Sequence, residues 1–217
     1  MTSTETPSET SPKNASETAS ETSADASNAH ASGTPAAPDA PDTPVALTLP
    51  DGRQVPLTTG AEGPMLESWL AFHRATLALK CAGLDDAQTR LASAEPSALT
   101  LLGLVQHLAE VERNWYQRVL GGAADLPPVF DEATGYRIDP ERGLDDALAV
   151  WRREIARGQE VCADHALDDL ARVPDDQNMG GLTVSLRWIH LHMIEEYARH
   201  NGHADIVRER IDGTAGV

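Results

Sequence analysis

The chain has 217 residues, 41% of them apolar, and carries 34 acidic side chains against 17 Lys and Arg, a formal net charge of −17. That excess of negative charge speaks against general nucleic-acid binding, which needs a basic footprint to neutralise phosphates, and against docking on anionic lipid. No apolar run approaches the ~18–20 residues of a transmembrane helix, and no basic start followed by an apolar segment marks a secretory signal, so a cytoplasmic location is expected.

The first 45 residues are Ser, Thr, Ala, Pro and Glu with almost no large apolar side chain. Such a segment buries too little surface to offset chain entropy, and it is expected to be a disordered acidic tail. It holds seven acidic residues against Lys13 alone, so the remainder of the chain is acidic as well. Residues 46–61 read as an extended lead-in with a turn at Asp51-Gly52.

Four helical stretches follow, each with apolar residues at 3.6-residue spacing. The first spans 62–81, with Gly83 to stop it. The second opens at Ser97, an N-cap candidate after Pro96, and closes at Gly121-Gly122. A Pro- and Gly-containing connection over 121–143 carries Phe130, Tyr136 and Arg137. Connections of that length inside a compact domain often serve function, and this one is expected to cover the mouth of a site. The third helix is expected over 144–165 and the fourth over 184–211, ended by Gly213. Four helices with one long connection predict an all-α four-helix bundle over 62–213. Trp69, Trp115, Trp151 and Trp188 fall one on each helix and are expected to pack. Cys81 and Cys162 lie far apart, outside any CxxC pattern, and are expected as reduced packing thiols.

On a helical wheel, Leu186, Ile189, Met193, Tyr197, Ala204, Val207 and Ile211 share one side of the fourth helix. His200 lies near the centre of that side, with Glu196, His203 and His192 on its flank, while Glu195 points to solvent. A core-facing carboxylate costs several kcal/mol unless it is paired or bound to a cation. Glu196 and His200, at i and i+4, can hold one ion, and His107 on the inner face of the second helix can complete the set. Two imidazoles and one carboxylate suit Zn²⁺, Ni²⁺ or Fe²⁺ with positions left open. The competing reading is a hydrogen-bonded structural histidine beside a helix-surface pair. Gly202 in mid-helix suggests that something packs or binds close to the backbone.

The stretches "TLLGLVQHLAEVERNWYQRVLGG" and "LTVSLRWIHLHMIEEYARHNGHADIVRERIDG" resemble the DinB-like superfamily, in particular a branch common in actinobacteria and related to mycothiol-dependent maleylpyruvate isomerases. The resemblance implies a four-helix bundle with a divalent metal near one end. His107 matches the family's second-helix histidine, and His200 matches the second half of its last-helix motif. Glu196 stands where the usual pattern has His, a departure shared with the maleylpyruvate isomerases. The resemblance further implies metal-dependent S-transfer or isomerisation of small electrophiles, with a low-molecular-weight thiol such as mycothiol as nucleophile. His107, Glu196 and His200 would be the ligands. His203, His192 and Arg137 would stand behind the ligands or on the substrate side, Arg137 to hold an anionic substrate. The alternative is a non-catalytic metal-binding bundle that binds a ligand or forms a homodimer through apolar helix faces. An open coordination position separates the two readings.

Overall fold

The computed structural model describes residues 47–130, 138 and 141–215. The acidic tail and Tyr136 and Arg137 lie outside the described residues. The lead-in forms an antiparallel bridge between Thr48 and Gln54 around the Asp51-Gly52 turn. It is anchored by Arg53, whose guanidinium donates to Asp51 and to Thr76 Oγ1 (2.9 Å) and lies 4.7 Å over the Phe72 ring.

Helix α1 spans Glu62–Cys81, as its periodicity predicts, and buries Leu70, Leu77 and Cys81. Gly83, at φ 75°, turns the chain out of it. A short helix α2, Asp86–Thr89, has a reciprocal capping box between Asp85 and Gln88. Helix α3, Leu101–Glu112, starts later than expected. Its N-cap is Thr100, whose hydroxyl accepts from Gly103 N (3.0 Å). Ser97 instead closes a preceding turn, its backbone N–H donating to Ala94 O and its hydroxyl accepting from Leu99 N. After Glu112 the helix widens into a π-helical segment, Arg113–Leu120. Helix α4 covers Leu144–Ala163. Two strands unanticipated from the sequence follow, β1 Leu170–Arg172 and β2 Thr183–Ser185, paired antiparallel with Ala171 opposite Val184. Each has three residues, too short to show an alternating pattern. Helix α5 therefore begins at Leu186, capped by Ser185, and runs to Asp212, where Gly213 at φ 79° ends it.

The four long helices form the bundle, α1 packing along α5, and α3 with its π-helical continuation along α4, with α3 also against α5. Leu104, Leu108, Ile189 and Met193 are fully buried between them, each contributing about 1.5–3 kcal/mol of apolar burial. Among the described residues no helix is long and apolar enough to cross a membrane.

One residue from each long helix joins a polar network inside this core. Arg74 of α1 grips Glu112 of α3 with two hydrogen bonds of 2.8 Å. Tyr197 of α5 donates to Glu112 Oε1 (2.6 Å), and Trp151 of α4 donates through Nε1 to the Tyr197 hydroxyl (2.8 Å). Burial acts against the charge on Arg74, but Glu112 outweighs it and holds the guanidinium charged. Beside this network Gly158 of α4 lets the Tyr116 ring approach, since a Cβ there would stand 3.0–3.2 Å from it. Trp151 thus packs as expected, whereas Trp69 is 43% exposed.

Candidate functional site

Rotation of α5 about its axis decides which of its polar side chains face the bundle. With Met193, Tyr197, Ala204 and Val207 buried, His200 is buried as well, and Glu196 is directed toward α3. The neighbouring Glu195 is half exposed, as the wheel predicts. From α3, His107 comes within 3.8 Å of Glu196 Oε2 through Nε2, and His200 Nε2 stands 3.3 Å from the same oxygen. The two imidazole centroids are 4.7 Å apart. One ligand atom from each of the three residues lies within 4.8 Å of the others. Donors around a single tetrahedral zinc at about 2.0–2.1 Å stand about 3.3 Å apart, close to this arrangement, and two imidazoles with one carboxylate are a competent donor set.

Contacts with His107, then with His200, hold the Glu196 carboxyl well below the usual carboxylate range, against the opposing effect of burial. Its other oxygen, Oε1, receives Arg199 Nη1 at 3.2 Å and lies 4.0 Å from His192 Nε2. His203 approaches His200 from behind, Nδ1 to Nδ1 at 3.4 Å, on the side of the ring away from Glu196. Burial, and then the neighbouring His200, lowers the His203 pKa. His192, Glu195 and Glu196 make a second cluster with donors in reach of one another, but Arg199 already pairs with both carboxylates.

His107 and Glu196 line a cleft of about 650 Å³, with His200 buried behind them. Trp115 and His192 line it too, the indole meeting the imidazole edge-on at 4.7 Å. Behind them Trp188 stacks on His192 at 5.0 Å and an interplanar angle of 13°. Burial keeps the His192 pKa below its ordinary value despite Glu196 and Glu195. One wall is the start of the connection after the π-helical segment, held down by two α3-side residues. Arg118 donates to Leu126 O and Pro127 O, and Glu110 accepts from Val129 N (2.6 Å) and pairs with Arg118. Leu126 and Pro128 thereby face the cleft. Phe130, expected at the mouth, turns instead into the core beneath Arg142. The β1–β2 connection lines the cleft as well, through Asp176, Gln177, Asn178 and Met179.

Several of these features escape the sequence reading. The β1–β2 connection carries no motif that would assign it to a site, although Pro174 and Gly180-Gly181 mark it as a turn. Trp115 joins the cleft as well as the core. Among the described residues nothing lies within 4 Å of where a Cβ on Gly202 would stand, so their packing does not explain that glycine. Cys81 and Cys162 are free, and burial pushes both thiols up to about 12, leaving them protonated at neutral pH. Cys162 lines a separate cavity of about 260 Å³, together with Arg74, Tyr116 and His190. There the His190 imidazole shares a 2.9 Å hydrogen bond with the Tyr116 hydroxyl, and burial, then Arg74, lowers its pKa to about 4.

Residues 65–213 match a family model described as MST: Mycothiol-S-transferase. The match covers more than half of the chain and includes His107, Glu196 and His200. No curated protein matches the chain.

Proposed function

The chain belongs to the mycothiol-S-transferase family, and from that premise we propose that it is a divalent-metal-dependent enzyme joining the sulfur of mycothiol, or a similar small thiol, to small electrophiles. The observation that carries this reading is the meeting of His107, Glu196 and His200 at the edge of a cleft large enough for a small molecule. His107 and His200, through Nε2, and Glu196, through Oε2, would hold the cation, with Zn²⁺ first and Ni²⁺ or Fe²⁺ next by donor type. The chemistry such a cation supplies when bound is stabilisation of a thiol's sulfur as thiolate near neutral pH.

The surrounding side chains have defined tasks in this reading. His203 fixes the His200 tautomer by accepting a hydrogen bond from its Nδ1–H, which leaves Nε2 as a lone-pair donor. Arg199 keeps the Glu196 carboxylate ionised and oriented. Trp115, with His192 held in place by stacking on Trp188, gives the cleft an aromatic surface for the electrophile. The transfer itself balances simply. The thiol gives up its proton, an S–C bond forms at the electrophilic carbon, and the leaving group departs with the electron pair of the broken bond. The nucleophilic sulfur comes from the small thiol, consistent with the raised pKa of both cysteines.

Elemental mass spectrometry of the full chain, after offering Zn²⁺ and Ni²⁺, tests the ligand assignment. About one metal per chain is expected in the wild type, little in His200→Ala, and undiminished content in Glu195→Ala. Equal metal content in all three proteins sinks the assignment. Metal in none of them turns the reading to a non-catalytic binding module.

A further inference from the structure

The β1–β2 connection makes two locally unfavourable choices within three residues, and both fall on the cleft wall. Met179 adopts φ 68°, the left-handed region, and among the described residues it is the one non-glycine to do so. A side chain there costs roughly 1–2 kcal/mol that glycine avoids. Two positions earlier, the Gln177 amide oxygen is buried and, among the described residues, has no hydrogen-bond partner. An orphaned buried acceptor is costly and calls for an explanation.

The rest of the connection is tightly built. Gly180 and Gly181 donate to Gln177 O and Val173 O, and Leu182 donates to Met179 O. Arg172 donates to Gly181 O (3.1 Å) and pairs with Asp175. A Cβ on Gly180 would stand 2.5 Å from Asp175 O, so the turn admits no alternative residue there. This frame holds Met179 in its unfavourable conformation, and the other apolar side chains lining the cleft include Val111, Trp115, Leu126 and Pro128. Backbone outliers held in this way concentrate where a ligand is recognised.

We propose that the β1–β2 connection is the specificity wall of the cleft, on which Met179 selects electrophiles with a flat apolar or aromatic body. The inference rests on the transferase reading above and adds the substrate class to it. Met179 contributes a polarizable thioether that suits an aromatic ring, in the same cleft as Trp115.

The test compares wild type, Met179→Gly and Met179→Leu with mycothiol and two electrophiles, 1-chloro-2,4-dinitrobenzene and iodoacetamide. Met179→Gly relieves the left-handed residue, so its Tm stays at or above that of the wild type. Its ratio of kcat/KM for the aromatic over the small electrophile is expected to fall about tenfold, carried by KM, as an apolar contact of one side chain is lost. Met179→Leu is expected to keep the ratio within about threefold of the wild type. An unchanged ratio in Met179→Gly overturns the inference while the transferase reading stands. If the wild type turns over neither electrophile, the transferase reading has failed, and binding decides the inference separately. The Kd of the S-(2,4-dinitrophenyl) conjugate of mycothiol, read by tryptophan quenching, should rise about tenfold in Met179→Gly. An equal Kd in the two proteins rejects the wall.

Discussion

Glu112 and Glu196 both point into this bundle, and their surroundings differ in kind. Glu112 is fully buried and meets a bidentate guanidinium and a phenol, so its charge is neutralised by groups that belong to the fold. Glu196 lies at the edge of a cleft, faced by two imidazoles on one oxygen and by an exposed arginine on the other. Imidazoles are neutral or charged according to their partners, and they bind cations through the same nitrogen that faces Glu196 here. A closed network stabilises a structure. An open one, with room beside it, leaves space for a ligand.

The largest expected effect breaks the first carboxylate and not the second. Glu112→Ala leaves Arg74 as an unpaired buried charge and removes the acceptor of Tyr197, which should cost about 3–5 kcal/mol in urea unfolding. Glu196→Ala, measured on metal-free protein, should cost clearly less than Glu112→Ala, because that carboxylate lies at the cleft edge and its arginine partner is half exposed. Similar losses in the two variants would erase the distinction between the closed and the open carboxylate.

The smaller cavity sharpens the comparison through pH. His190 is held neutral, with a pKa near 4 against an ordinary value near 6.5. Below pH 6.5 the unfolded chain therefore binds a proton that the folded chain refuses, and stability falls as pH drops from about 6.5 to about 4. Above pH 6.5 this contribution is fully present. The loss through His190 amounts to about 3 kcal/mol at most. His190→Gln, which can still receive the Tyr116 hydroxyl, should flatten the slope of unfolding free energy over that window. An unaltered slope would mean that other groups carry the acid sensitivity.

A smaller effect probes the packing that supports both clusters. Gly158→Ala places a methyl group 3.0–3.2 Å from the Tyr116 ring. The ring must shift, and overpacking of this kind costs about 1–3 kcal/mol. A Tm equal to that of the wild type would show that the helix pair adjusts freely.

Much of the site was legible before the structure because a helix converts spacing into direction. The separation of Glu195 from Glu196 follows from 100° per residue and the apolar side of α5 alone, and the structure places the two side chains accordingly. The position of His107 on the inner face of its helix followed in the same way. Where no period exists, the sequence reading failed. Residues 176–179 lie on a turn whose placement depends on the pairing of β1 with β2, and three-residue strands leave no pattern. Ser97 and Thr100 are equally good caps by type, and the turn at Ala94–Ser97 decided between them.

The sequence by itself determined a helical bundle and the inward sides of the helices that carry His107, Glu196 and His200, because 3.6-residue periodicity is a local property. Tertiary structure alone decided that Glu112 is closed off by Arg74 and Tyr197, that the helix after Glu112 widens to a π-helical segment, and that Met179 and Gln177 stand on the cleft wall. Those arrangements depend on which elements meet across the bundle, and contacts between residues distant in the chain are set by packing rather than by spacing.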